Sequence, residues 1–256
     1  MTGLTKGAAY ARALAGELRG GPGNLFRIAP RLGLEIREVN ADGFDGALIR
    51  ARELPLGAIV IRKSIREAGR KNFTLAHEIG HFLLPGHDQA DLICTKADVG
   101  NWGDSLNEIE READEFAAEL LMPSALVQRT IRSAAPSLQL IEKIASQFHT
   151  SLSAAAWRYC DLATEQCAIV WSGGQRIDWS KRSETFALSL RKGTPINKAT
   201  FAFRAFDRQA VPKQPQEVPA NGWISANDVA KNAKLWEQSK ALPAYGSVIS
   251  LLWLQP

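Results

Sequence analysis

His77, Glu78 and His81 stand in the order H-E-x-x-H inside residues 72–87, NFTLAHEIGHFLLPGH. On a helix, positions four apart lie one turn above each other on a single face, so both imidazoles can close on one metal ion. Glu78 reaches the edge of the same site, where a carboxylate can take a proton from a water that the metal activates. The chemistry this spacing implies is metal-assisted hydrolysis of a peptide bond.

That reading needs a helix, and the surrounding residues supply one independently of the motif. Ser64 with Glu67 reads as a capping box, Leu75, Ile79, Phe82 and Leu83 form an apolar stripe, and Pro85-Gly86 stops the segment. The ordinary alternative is a helix that happens to carry two satisfied histidines, and the cap, stripe and stop around the motif weigh against it.

Two histidines do not complete a catalytic site, because a third protein ligand is needed with a fourth position left open. Its best source is 107–123, NEIEREADEFAAELLMP. Ser105 with Glu108 reads as its capping box, and Leu106, Ile109, Ala113, Ala117, Leu120 and Leu121 as its inward stripe. Glu110 and Asp114 flank that stripe and lean toward the neighbouring helix, whereas Glu108, Glu112, Glu115 and Glu119 are expected on a solvated face. Glu110 is therefore the expected third ligand, with Glu112, two residues away, as the alternative. Asp114 is placed to accept the ring N–H of a ligand histidine.

The pair FTLAHEIGHFLL and E-x-E-A-D-x-F-A-A-E-L-L-M-P resembles the ImmA/IrrE family of metallo-endopeptidases over roughly residues 34–122. The resemblance implies His77, His81 and Glu110 as metal ligands and Glu78 as general base. It also implies a protein substrate, a helix-turn-helix transcriptional repressor, whose cleavage releases a stress or mobile-element response.

The rest of the chain reads as support. Residues 4–18 and 25–32 have helical spacing, and 34–39, 47–50 and 58–62 read as strands of a small antiparallel sheet whose last strand leads into the histidine helix. Residues 85–103 form a long polar connection, in which His87 and Asp88 have left the helical register of His77 and His81. Residues 138–162 have the rhythm of helix, turn at 149–151, helix. The second of these offers Ala154, Ala155, Ala156 and Trp157 where a DNA-reading helix would present polar groups, so both are expected to pack on the first domain. His149 and Tyr159 are candidates to stabilise an oxyanion. Beyond residue 163 the composition turns to strands, at 167–171, 185–190, 200–206 and 247–254. Residues 227–238 read as a helix, 211–219 as Pro-rich linker, and five tryptophans as core and edge aromatics.

Composition excludes more than it selects. A chain of 256 residues, 45% hydrophobic and 23% charged, builds an ordinary globular core, and a net charge of +4 is mild for a nucleic-acid binder. The three cysteines, Cys94, Cys160 and Cys167, form no disulfide framework, which fits a reducing cytoplasm. No apolar run reaches membrane-spanning length. The expectation is an α+β, zincin-like peptidase domain over residues 1–163 with a mainly β accessory domain over 164–256. Zinc is the expected metal, and Mn²⁺ suits the same ligands. The expected partner is a protein substrate, with no direct nucleic acid and no membrane; the alternative is a catalytically silent repressor-binding or DNA-binding regulator.

Overall fold

The histidine helix α3 (Ala68–Leu83) buries Phe73 through His81 without interruption, so its apolar and its polar faces are both covered. The computed structural model describes residues 5–17, 25–51, 54–88, 92–94 (backbone alone), 108–224 and 233–254. Its contacts divide the chain into one unit of Met1–Ser124 with Ala145–Ala154 and another of Ala125–Ile144 with Ala155–Pro256. Among the described residues no helix is long and apolar enough to cross a membrane.

In the first unit, helix α1 (Lys6–Glu17) precedes a short helix α2 (Leu25–Ile28), which tightens into a 3₁₀ turn at Ala29–Leu32. Strands β1 (Leu34–Val39), β2 (Gly46–Arg50) and β3 (Gly57–Arg62) follow as expected, and β4 (Leu92–Cys94) adds a fourth. The sheet is mixed, which corrects the antiparallel expectation. Its order is β1-β3-β2-β4, and β1 runs parallel to β3 while β2 is antiparallel to both its neighbours. Alternating side chains mark the two faces of a strand but not its partner or direction, so a strand that inserts between two earlier ones leaves no local signal. Leu34, Leu48, Ile59 and Ile61 are at most 1% exposed, each contributing roughly 1.5–3 kcal/mol by leaving water.

The capping box expected at Ser64 is also corrected. Ser64 lies in the turn that closes β3, where Ile65 N–H donates to Arg62 O, and Glu67 occupies the cap position without a side-chain hydrogen bond. At the other end the Arg50 guanidinium donates to His81 O and, at 3.2 Å, to Phe82 O, so the terminal carbonyls of α3 are satisfied from β2.

Helix α4 (Glu108–Leu121) lies on α3, and the contact is close because Gly80 has no side chain: a Cβ there would stand 3.0 Å from the Phe116 ring. The residues 95–107, including the expected cap Ser105, lie outside the described part. The solvated face expected for Glu112 and Glu119 is a correction, since α1 packs along it. Arg12 Nε donates to Glu119 Oε1 at 2.8 Å, and Lys6 Nζ to Glu112 Oε2 at 2.7 Å. Glu119 is 4% exposed, while Glu108 stays exposed as expected.

Helix α5 (Ser124–Ile131) follows, then α6 (Leu138–Gln147) and α7 (Leu152–Leu162), joined by a turn in which His149 has φ 51. Ala154 to Cys160 are all buried. In the second unit β5 (Cys167–Gly173), β6 (Arg176–Arg182), β7 (Gln216–Pro219), β8 (Lys234–Leu242) and β9 (Ser247–Trp253) form an antiparallel sheet in the order β6-β5-β9-β8-β7. Every residue of β9 is buried, and Gln238 of β8 accepts the Leu138 N–H at 2.7 Å, tying the start of α6 to this sheet.

Four expectations fail here. Residues 185–190 are irregular, the segment read as strand 200–206 is helix α8 (Phe201–Phe206), and the end of the helix expected at 227–238 is the start of β8; residues 225–232 lie outside the described part. The stretch read as linker contains β7. Trp171 stacks on Trp179 and Trp236 on Trp253, and Cys160 and Cys167 are buried free thiols.

Candidate metal centre

The one-turn spacing on α3 sets His77 Nε2 and His81 Nε2 2.9 Å apart, both rings fully buried. Glu110, in the first turn of α4, sends Oε2 to 3.1 Å from His77 Nε2 and Oε1 to 3.4 Å from His81 Nε2. The ligand-type atoms of His77, His81 and Glu110 lie within 4.8 Å of one another. Glu112 points elsewhere, to Lys6 and His87.

Hydrogen bonding decides which nitrogens carry protons. Asp114 Oδ1 lies 2.8 Å from His77 Nδ1, and a carboxylate only accepts, so Nδ1 bears the hydrogen and a neutral His77 presents the lone pair of Nε2. Burial pushes the His81 imidazole down to about 4, against the opposing pull of the Glu110 carboxylate, so that ring is neutral near pH 7. Burial pushes the Glu110 carboxyl up, but the hydrogen bonds and charges that His77 and His81 offer it when they carry a proton on Nε2 outweigh burial and hold the group well below the usual carboxylate range, and a cation between neutral rings exerts the same pull. His77 Nε2, His81 Nε2 and the Glu110 carboxylate converge in a buried space, and with both rings as their Nδ1–H tautomers these acceptors repel unless a cation sits among them. Neutral imidazole and ionised carboxylate are the states in which these groups ligate, so the donor set fits a divalent ion.

Glu78 is fully buried on the same helix. Its carboxylate lies against β2, where a Cβ on Gly46 would come 2.6 Å from Oε1. The neighbouring Asp45, wholly buried, pairs with Arg62 and with Arg70 of α3, which pins the start of β2 to the helix. Gly46 carries no sequence signal that separates it from an ordinary strand glycine.

Of the residues singled out in the sequence, His77, His81, Glu110 and Asp114 meet in one cluster with Glu78 on the same helix. His149 is exposed in its turn and Tyr159 is buried in the second unit. Sequence reasoning set His87 aside, yet it is 2% exposed and its Nδ1 is 2.9 Å from His81 Nδ1. Leaving the helical register removed it from ligand position, not from the site. The side chain of Cys94 lies outside the described part.

Two helices thus bring two imidazoles and one carboxylate to a point, a donor set that could hold a divalent metal ion. The chain belongs to the family of the IrrE N-terminal-like domain, whose family model matches residues 29–159. It is 29% identical over 176 residues to the radiation response metalloprotease IrrE of Deinococcus deserti, covering 63% of this chain and 61% of that protein. To the radiation response metalloprotease IrrE of Deinococcus radiodurans it is 31% identical over 100 residues, 39% of this chain and 30% of that protein. The matches thus span less than two thirds of either relative. Among solved structures, a Mycobacterium tuberculosis transcriptional regulator superposes with a TM-score of 0.59 at 14% identity, over 96% of this chain and 75% of that one, a likeness of fold.

Proposed function

We propose that this protein is a metal-dependent endopeptidase that hydrolyses a peptide bond in a protein substrate, with a helix-turn-helix repressor as the substrate class and derepression of a stress or mobile-element response as the outcome. The observation that carries the reading is the convergence within 4.8 Å of ligand-type atoms from His77 and His81, on the helix that also bears Glu78, and from Glu110 of α4. A divalent ion held there supplies Lewis-acid activation of water and of the scissile carbonyl, with zinc the first choice and Mn²⁺ compatible with the same donors.

The chain's own residues divide the remaining work. Glu78 accepts the proton of the attacking water at its carboxylate and returns it to the leaving amine. Asp114, through His77 Nδ1–H, holds that ring in one tautomer with Nε2 turned to the centre. The buried surroundings keep bulk water away from these groups and strengthen their electrostatic effect. The segment 164–256, in this reading, recruits or regulates and does no chemistry, and the protein works in the cytoplasm.

The test is incubation of the full chain with helix-turn-helix proteins encoded beside its gene, with zinc, with chelator, and as the Glu78→Gln variant, followed by mass spectrometry. Discrete fragments with zinc alone are expected. Fragments under all three conditions would contradict the mechanism; intact repressors throughout, with cleavage of another protein, would contradict the substrate class.

A further inference from the structure

His87 lies six residues beyond His81, after the helix has stopped at Pro85-Gly86, and its backbone N–H donates to Leu84 O. The turn folds the imidazole back under α3, where its side chain is 1% exposed. Its two ring nitrogens face different partners. Nδ1 is 2.9 Å from His81 Nδ1, and Nε2 is 3.0 Å from Glu112 Oε2. The same Glu112 oxygen accepts from Lys6 Nζ at 2.7 Å, and that ammonium also donates to Pro85 O at 2.8 Å.

The donor and acceptor roles along this row follow in one direction. Glu112, with Lys6 on it, is an ionised carboxylate and only accepts, so His87 Nε2 carries a hydrogen. A neutral His87 then has its lone pair on Nδ1, and His81 Nδ1 must be the donor to it. That leaves the His81 lone pair on Nε2, the atom that faces His77 and Glu110. Every contact in the row is satisfied by this assignment; a hydrogen on both Nδ1 atoms, or on neither, makes the 2.9 Å contact repulsive.

We propose that His87, backed by Glu112 and Lys6, is the positioning residue for His81, fixing its tautomer and ring angle as Asp114 does for His77. The inference rests on the metal-site reading of His77, His81 and Glu110. It gives the acidic face of α4 two tasks: Glu110 turns to the centre, and Glu112, half a turn on, reaches the far side of the second histidine through another ring. It also gives α1 a part in the site, because Lys6 ties both Glu112 and the turn that carries His87. Partners of this kind change metal affinity by ~10–100-fold when removed.

The experiment measures zinc affinity of the full chain by competition with a chromophoric chelator, for the wild type, His87→Leu and His87→Asn, alongside melting of the metal-free proteins by circular dichroism. His87→Leu should bind zinc ~10–100-fold more weakly with unchanged metal-free melting, and His87→Asn, whose Oδ1 replaces Nδ1 as acceptor, should recover most of the loss. Imidazole nitrogen NMR of the zinc-loaded wild type reads the same proposal without a substitution: His81 as the Nδ1–H tautomer and His87 as the Nε2–H tautomer. Wild-type affinity in a folded His87→Leu variant, or His87 found as the Nδ1–H tautomer, overturns the proposal while leaving the metal site intact. A wild type that binds no zinc overturns the metal-site reading itself, and this inference with it.

Discussion

Glu110 in the first unit and Glu237 in the second are both withdrawn from water, and their surroundings drive them in opposite directions. Glu237 is fully buried on β8, where Oε1 accepts from Ala202 N at 2.7 Å and from Ser239 Oγ at 2.7 Å, and Oε2 from Trp223 Nε1 at 2.9 Å. Burial raises its pKa against these hydrogen bonds, whereas Glu110 is lowered despite its burial. For Glu237 burial outweighs its neutral donors, which occupy its lone pairs and cap the first turn of α8; for Glu110 the two imidazoles, by the hydrogen bonds and positive charge they offer when protonated at Nε2, outweigh burial. When the rings are neutral with their Nε2 lone pairs turned to the same spot, a cation has to take the place of those protons. A buried acid is thus no sign of chemistry by itself, and convergence of acceptors is.

If that distinction holds, disturbing the first cluster should cost turnover or metal, and disturbing the second only stability. The largest expected effect is at Glu78. A Glu78→Gln variant should lose turnover by ~10²–10⁴-fold, since the amide cannot accept the proton, while metal content and melting stay those of the wild type. Near-normal cleavage by it would remove the general-base role. Gly46→Ala should follow, because the new Cβ enters at 2.6 Å from Glu78 Oε1 and pushes the carboxylate aside. Misplacement of about 1 Å is worth ~10²-fold in rate, so kcat should fall by that order with metal retained; an unaltered kcat would show that Glu78 has room to move.

Glu237→Leu leaves the Ala202 and Trp223 N–H groups without their acceptor, at ~1–3 kcal/mol each, so thermal or urea unfolding should shift clearly while zinc stoichiometry does not. Loss of metal from this variant, measured below its melting point, would erase the contrast between the clusters. The smallest effect is in pH. Because the folded pKa of Glu237 is raised, the folded state holds that proton more tightly than the unfolded chain. Its contribution is greatest below the ordinary glutamate value of about 4.3 and is lost as pH rises through the folded pKa. The stability difference between wild type and Glu237→Gln should therefore drift against the wild type across that window and level off above it; a drift in the other direction would mean the carboxylate is held ionised.

The same two regions explain what the sequence disclosed. Helix spacing alone put His77 above His81 and aimed Glu110 and Asp114 inward, since those relations are local and periodic. His87 escaped because a turn, not a period, returns it to the site, and Glu112 and Glu119 looked solvated because nothing local says that α1 covers α4. In the second unit, Phe201–Phe206 reads as a strand by its aromatic content. Thr200 Oγ1 accepts the Phe203 N–H at 3.1 Å, and Glu237, 35 positions from Ala202, caps the same turn, so a distant carboxylate overrides local propensity. Sheet order fails for the same reason: β1 meets β3 through pairing that neither strand encodes alone.

The central claim, that His77, His81 and Glu110 hold one divalent ion, is tested most directly by elemental analysis of the purified full chain beside its Glu110→Gln and Glu112→Gln variants. The account predicts one equivalent of metal per chain in the wild type, loss of most of it in Glu110→Gln, and retention in Glu112→Gln, whose amide oxygen still accepts from His87. Equal metal content in the two variants, or a wild type without metal, would contradict it.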